Sequence, residues 1–296
     1  MIRIGILGAE SSHALAFARW FNLPDPATGA ARYENIRVTA VLDDCPQAAL
    51  LAEVTGAALV TDPICLAAQV DAAMITARRG SEHLALARPL AQKRMPLFID
   101  KPFAAGPAQA MELARLLTDQ GCPVQGGSGC RFSPGVQALK AEAHELAEGR
   151  LLGGSACFGI DLDSPYDGFY FYAPHRVEPA LEIFGDGVRQ VSALRQGRNL
   201  TAMLHYGSFS VSLHFLYASQ AAAGTMYTDT GVIHRIFDIS RILEEEASRF
   251  AGLLLGTQTG LTSAELVRPV QIIDAILRSD AAGGAAVPVD QSACLP

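Results

Sequence analysis

The residues able to do chemistry fall at a few places. At 5–13 the chain reads "GILGAESSH", where a short strand should turn into a helix. Gly8 permits the tight turn that aims helix N–H groups and the positive end of the helix dipole at a bound anion. Glu10 and His13 stand where a dinucleotide fingerprint would place its second and third glycines, so Ala9, Glu10, Ser11 and Ser12 form a turn with one carboxylate in its mouth. Glu10 either folds back onto exposed N–H groups as a built-in anion or swings outward and leaves room for a cofactor. The second strand ends in "VLDDCP"; an acid there accepts ribose hydroxyls and disfavours a 2′-phosphate, with Asp43 better aligned than Asp44. A solvated turn acid is the competing reading.

In "FIDKPFA" (98–104), Lys101 projects from the carboxyl edge of the fifth strand. Partial burial beside a cationic nicotinamide would suit it to proton transfer or to polarising an oxygen, whereas a surface pair with Asp100 would make it structural. His175 and Glu178 lie one helical turn apart in "HRVEPALE". They suit a metal pair, completed by Asp161, Asp163 or Asp167, less well than a hydrogen-bonded helix start, and no metal is assigned. Arg131 in "CRFSP" suits a sugar hydroxyl, a carboxylate or a phosphate, or else an interdomain salt bridge. The run "YDGFYFY" packs as an aromatic wall whose tyrosines, Tyr170 and Tyr172, offer a polar rim to a carbohydrate. His13, His83, His205 and His214 read as structural or rim residues.

These residues need elements to hold them. A chain of 296 residues is long enough for two cores. Up to about residue 126, short apolar strands alternate with capped helices, the pattern of a doubly wound parallel sheet that binds ligands at the carboxyl ends of its strands. After residue 130, stretches such as "FSVSLHF" alternate apolar and polar residues, which predicts a mainly antiparallel sheet with one wet face and helices on the other. Long helices are expected at 241–255 and 263–277. The fold class is therefore α/β, a Rossmann sheet in 1–127 followed by an α+β domain with an open sheet in 128–296.

Composition removes whole classes of function. Half the residues are hydrophobic, 18% are charged, and the net charge is −7 with no basic run, so neither nucleic acid nor an anionic membrane is an expected partner. No apolar run is long enough to span a bilayer, and the start lacks the pattern of a signal peptide. Six scattered cysteines (Cys45, Cys65, Cys122, Cys130, Cys157 and Cys294) without metal spacing suit free thiols in a reducing cytoplasm.

The order "IRIGILGA", "VLDDCPQAA", "DAAMITA" followed by His83, "FIDKPFA", "GCRFSPGVQALK", "EGRLLGG", "HRVEPALEIFG" and "ELVRPVQIIDAILRS" resembles the Gfo/Idh/MocA family of glucose-fructose oxidoreductases and inositol dehydrogenases nearly end to end. The resemblance implies NAD(P)-dependent dehydrogenation of a sugar, cyclitol or related polyol, and a homo-oligomer formed through the C-terminal sheet. By position it makes Lys101 and His175 catalytic. Hydride would pass between substrate carbon and nicotinamide in a cleft between the domains, with His175 exchanging the hydroxyl proton and Lys101 stabilising the oxyanion. It adds Thr76, Ala77, His83 and Asp100 to the cofactor side, with NAD preferred over NADP through Asp43. Arg131, Tyr170, Tyr172 and Glu178 are expected on the substrate side. The family usually carries an acid four residues before the histidine, where this chain has Phe171, and Glu178, Tyr170 or Tyr172 would have to substitute. The departures at Glu10 and Phe171 support a second expectation, a member without dehydrogenase activity that binds carbohydrate or regulates. A third is a lyase or isomerase using Lys101 and His175.

Overall fold

A computed structural model describes residues 1–43 and 45–290; Asp44 and Cys294 lie outside the described residues. The chain forms two compact units, Met1–Gly127 with Leu243–Leu266, and Ser128–Ile242 with the chain from Val267 onward. The contiguous division at 127/128 expected from sequence therefore differs at one segment, for a reason given below.

In the first unit the elements alternate as β1 (Ile2–Leu7), α1 (Ser12–Asn22), β2 (Ile36–Leu42), α2 (Pro46–Thr55), β3 (Ala58–Val60), α3 (Pro63–Ala67), β4 (Ala72–Ile75), α4 (Gly80–Ala91), β5 (Leu97–Asp100), α5 (Pro107–Gln120) and β6 (Val124–Gly127). All the strands pair in parallel in the order β3-β2-β1-β4-β5-β6, so the direction of winding reverses between β1 and β4. This is the doubly wound sheet the alternation predicts, and ligands bind such sheets at that reversal. Strands β4 and β5 are buried on both faces, as helices packed on each side require. Local chemistry sets the boundaries: Ser11 caps α1 through the His13 amide, Asp62 caps α3, and Gly56 and Gly121 end α2 and α5 in the left-handed region.

The second unit opens with a single 3-10 turn at Gly129–Phe132 and α6 (Pro134–Glu145). There follow β7 (Leu151–Gly159), α7 (Phe169–Tyr172), α8 (Pro174–Phe184), β8 (Gln190–Gln196), β9 (Asn199–His205), β10 (Ser210–Leu216), β11 (Ala222–Thr228) and β12 (Gly231–Ile236). The remaining elements of the chain are α9 (Ile242–Leu254), α10 (Ser263–Ala281) and β13 (Val287–Pro288). The sheet order is β12-β11-β7-β10-β9-β8-β13, antiparallel except for β7 beside β10. One face packs Phe158, Val211, Leu213 and Phe215 against apolar residues of α8 and α10 such as Val177, Ala180, Ile273 and Ile276. The other face carries small polar and imidazole side chains, with His205 between Ser192 and Ser210 and His234 beside Thr225. Alternation in the sequence thus corresponds to burial, because neighbouring side chains in a strand point to opposite faces. Strand β12 escapes that signal: its residues are exposed or half-buried at the sheet edge, so no apolar face marks it.

Helix α9 follows the second sheet in sequence but belongs to the first core. Its Ala247, Phe250 and Ala251 are fully buried among Ile4, Phe17 and Phe98, with the Phe98 and Phe250 rings edge to face at 5.9 Å. Beyond the helix, the Leu261 amide donates to the Val124 carbonyl (2.7 Å) and the Gln125 side chain donates to the Thr259 carbonyl, so this stretch also covers the edge strand β6. Burial of one apolar helix face, rather than order along the chain, sets the unit boundary.

Candidate functional site

The turn after β1 is shaped by a close approach. Gly8 has φ +97°, and a Cβ there would stand 2.2 Å from the Ala77 amide nitrogen, so only glycine allows the loops after β1 and β4 to touch. Thr76, fully buried, locks the same junction by donating its hydroxyl to the Gly8 carbonyl at 2.8 Å.

Around this turn the carboxylates have specific partners. Asp43 Oδ2 accepts from the Ala9 amide (2.7 Å) and the Glu10 amide (3.3 Å), while Oδ1 accepts from the Cys45 amide (3.2 Å). Asp43, expected as a ribose acceptor or a solvated acid, thus fastens the first turn to the end of β2. Glu10 turns its carboxylate onto backbone amides, and its Oε1 crosses to accept from that of Arg78 at 2.8 Å. Burial, with the Asp43 carboxylate beside it, raises the Glu10 pKa above the usual carboxylate range against the pull of the Arg78 hydrogen bond. The Ser11 hydroxyl accepts from the His13 amide, and the amides of Ser11 and Ser12 meet no acceptor among the described residues. Those two donors at the start of an eleven-residue helix suit a diphosphate.

At the end of β5, Asp100 is buried. Its Oδ2 meets His13 Nδ1 at 2.8 Å, and its Oδ1 accepts from the Lys101 amide at 2.7 Å. Burial works to raise its pKa, but the His13 and Lys101 charges and these hydrogen bonds outweigh that and hold it below the ordinary value. His13, expected as a structural or rim residue, is thereby the link between the α1 turn and the Asp100–Lys101 corner. Lys101 is 6% exposed, and its peptide bond to Pro102 is cis. Two expected cofactor residues are buried. His83 has no exposed surface, and it pairs through Nε2 with the Ala77 carbonyl at 2.8 Å, with burial lowering its pKa. It and the fully buried Thr76 fix the loop that contains Ala77, itself 3% exposed.

The second unit gathers a separate polar cluster around Ser128, which sequence reasoning did not single out. Its hydroxyl lies 2.7 Å from His175 Nδ1 and accepts from the Cys130 amide at 3.3 Å, while its own amide donates to Glu178 Oε2 at 2.7 Å. Cys130 Sγ is 3.6 Å from the same Nδ1. His175 and Glu178 are therefore both anchored to Ser128, one turn apart on α8, rather than set as a metal pair. Among the described residues no three His, Cys, Asp or Glu side chains stand together as metal ligands. The available signal for Ser128 was its place directly after β6 as the cap of the following turn.

Arg131, expected to hold substrate or to bridge the domains, pairs with two acids of α8. Its Nε and Nη2 bond Glu182 Oε2 at 3.0 and 2.8 Å, and Nη1 stands 4.0 Å from Glu178. Lys140 bonds the other Glu182 oxygen. Burial opposes the Glu182 charge, yet Arg131 and Lys140 prevail and lower its pKa. Glu182, also missed, follows Glu178 by four residues and so shares its helix face. Phe171 packs among aromatics, 4.7 Å from the Tyr172 ring centre and 5.1 Å from that of Tyr166. Tyr170 donates to Asp274 across 3.5 Å, and burial beside that carboxylate raises its pKa, so its hydroxyl stays protonated. The group at His175 Nδ1 is the Ser128 hydroxyl.

Residues 2–128 match the family model described as the oxidoreductase family with an NAD-binding Rossmann fold, Gfo/Idh/MocA. Comparison with curated proteins gave no match. Among solved structures, the chain is similar to the myo-inositol dehydrogenase of Lactobacillus casei in complex with NAD(H) and myo-inositol, with TM-score 0.81, 15% identity, and 98% and 97% of the two chains covered. It is also similar to an oxidoreductase from Agrobacterium radiobacter in complex with NAD+, L-tartaric acid and magnesium (TM-score 0.75, 17% identity, 97% and 98% covered). A third is the myo-inositol 2-dehydrogenase of Lactobacillus plantarum, with TM-score 0.79, 13% identity, and 98% and 99% covered.

Proposed function

We propose, from the premise that the chain belongs to the Gfo/Idh/MocA oxidoreductase family, that it is an NAD-linked dehydrogenase of a sugar, cyclitol or related polyol. The observation that carries this reading is the pairing, within one sheet, of a Gly8 turn at the strand-order reversal with a buried lysine directly after β5. When bound, NAD would supply the hydride acceptor. Ser11 and Ser12 would bind its diphosphate, Gly8 and Ala9 would let it approach the backbone, and Asp43 would face the ribose and repel a 2′-phosphate. Lys101 and His175 would address the substrate oxygen, Lys101 held by the Asp100 corner and His175 by Ser128. Tyr172, half-buried beside Phe171, would contribute to the carbohydrate rim. The two oxidoreductases described above as complexes contain NAD, one with myo-inositol, which supports a cyclic polyol as the first substrate class to try.

Fluorescence titration of the folded chain with NADH, followed by NAD reduction assays over a panel of cyclitols and sugars, tests this reading. Saturable NADH binding and turnover that Lys101→Ala abolishes are expected. No binding at millimolar cofactor removes the proposal. The Glu10 carboxylate at the turn favours one alternative, a family member that binds carbohydrate without redox chemistry. That alternative requires thermal stabilisation by carbohydrate in the absence of NAD. A lyase or isomerase would instead show Lys101-dependent turnover with no net NAD reduction. Self-association through the open face of the second sheet belongs to the same proposal, as does a cytoplasmic setting. Light scattering reads the first, and localisation of a tagged full chain reads the second.

A further inference from the structure

A histidine's chemistry depends on which ring nitrogen has the hydrogen, and the partner of the other nitrogen decides it. At His175 that partner is a buried hydroxyl. Ser128 is fully buried, and its bonds account for the hydroxyl atom by atom. One oxygen lone pair receives the Cys130 amide at 3.3 Å, and the other contact is His175 Nδ1 at 2.7 Å. A serine hydroxyl has one hydrogen to place, and a buried donor without an acceptor is costly. If Nδ1 had a hydrogen, that hydrogen would point at the serine oxygen and the hydroxyl hydrogen would face no acceptor among the described residues. With the lone pair at Nδ1, the hydroxyl donates to it and both groups are satisfied. The nearby Cys130 thiol, 3.6 Å from Nδ1, is likewise a weak donor directed at that lone pair.

Ser128 is itself fixed in place. Its amide is bonded to Glu178, whose carboxylate stands 4.0 Å from Arg131, and Arg131 is held in turn by Glu182. The backbone that presents the hydroxyl to Nδ1 is therefore anchored by buried charges.

We infer that Ser128 holds neutral His175 in the Nε2–H form, so that the imidazole meets the substrate oxygen as a hydrogen-bond donor and not as the proton acceptor. Ser128 is then a positioning residue that acts through His175. This refines the dehydrogenase reading, on which the roles of His175 and Lys101 toward substrate rest, but the state of the ring can be read without substrate or cofactor. Long-range 1H–15N correlation spectra of the full chain, 15N-labelled at its seven histidines, distinguish the two neutral tautomers, and the signal missing from His175→Gln identifies the ring.

At a pH where the ring is neutral, the wild-type protein should show the Nε2–H pattern. Ser128→Ala should bring the two nitrogen shifts toward each other as both tautomers become populated, and Ser128→Thr, which keeps the hydroxyl, should restore the wild-type pattern. A wild-type His175 in the Nδ1–H form overturns the inference, as does an Nε2–H pattern unchanged in Ser128→Ala. The wild-type spectrum decides even if the alanine variant does not fold. Failure of NADH titration, by contrast, would remove the dehydrogenase reading and leave this spectrum unaffected.

Discussion

Glu10 and Asp43 put negative charge where a dinucleotide would bring more. Glu10 must release the Arg78 amide or stay clear of the diphosphate, so Glu10→Gln should tighten NADH binding by about tenfold, equivalent to ~1.4 kcal/mol, as read by fluorescence titration. The same side chain gives a signed pH effect. Its folded pKa is raised, chiefly by burial, so the stability linked to its proton is complete below the ordinary glutamate value and is lost as pH rises through the higher folded value. Urea denaturation across that window should show wild-type stability falling more steeply with pH than that of Glu10→Gln. At the other carboxylate the sign is opposite. Asp100 has a lowered folded pKa, so its contribution is present above the ordinary aspartate value and is lost on acidification. Replacing His13 by Ala withdraws the partner of a buried carboxylate, and equilibrium unfolding at neutral pH should register a loss of about 1–3 kcal/mol.

At the scale of elements, two packing events keep these residues in register. The loops after β1 and β4 cross at Gly8, where a Cβ would lie 2.2 Å from one backbone nitrogen and 2.4 Å from the adjacent Cα. Gly8→Ala has no flexible neighbour to displace and adopts an unfavourable φ, so a destabilisation beyond about 4 kcal/mol or failure to fold is expected from a thermal melt. Helix α9 is the second event. Phe250 is fully buried against Phe98, and Phe250→Ala should cost about 3–5 kcal/mol. Because that residue belongs to the first core, hydrogen exchange in β1, β4 and β5 should accelerate in the variant. Protection changes confined to the second sheet would contradict the assignment of α9.

For the whole molecule, the proposal has a thermodynamic signature that needs no substrate. A ligand that binds only the folded chain stabilises it by mass action, so NADH at one hundred times its Kd should add about 2.7 kcal/mol and raise Tm accordingly. If carbohydrate raises Tm while NADH leaves it unchanged, the binding-protein alternative is the one that survives. Among the described residues no helix is long and apolar enough to cross a membrane.

The sequence alone determined the two kinds of sheet and the main punctuation of the first unit, since strand alternation, helix caps and glycine stops are encoded within a few residues of where they act. It also marked Gly8, Asp43, Lys101 and His175 as residues with chemical potential. Partners lay beyond it. That Glu10 would cross to Arg78, 68 positions away, that His13 would reach Asp100 over 87, and that Ser128 would take up His175 over 47 depended on which loops the parallel sheet and α8 bring together. The assignment of α9 to the first core had the same origin. A helix face shows in sequence that it must be buried, but not against which sheet, because apolar burial is non-directional and only the folded chain fixes the complementary surface.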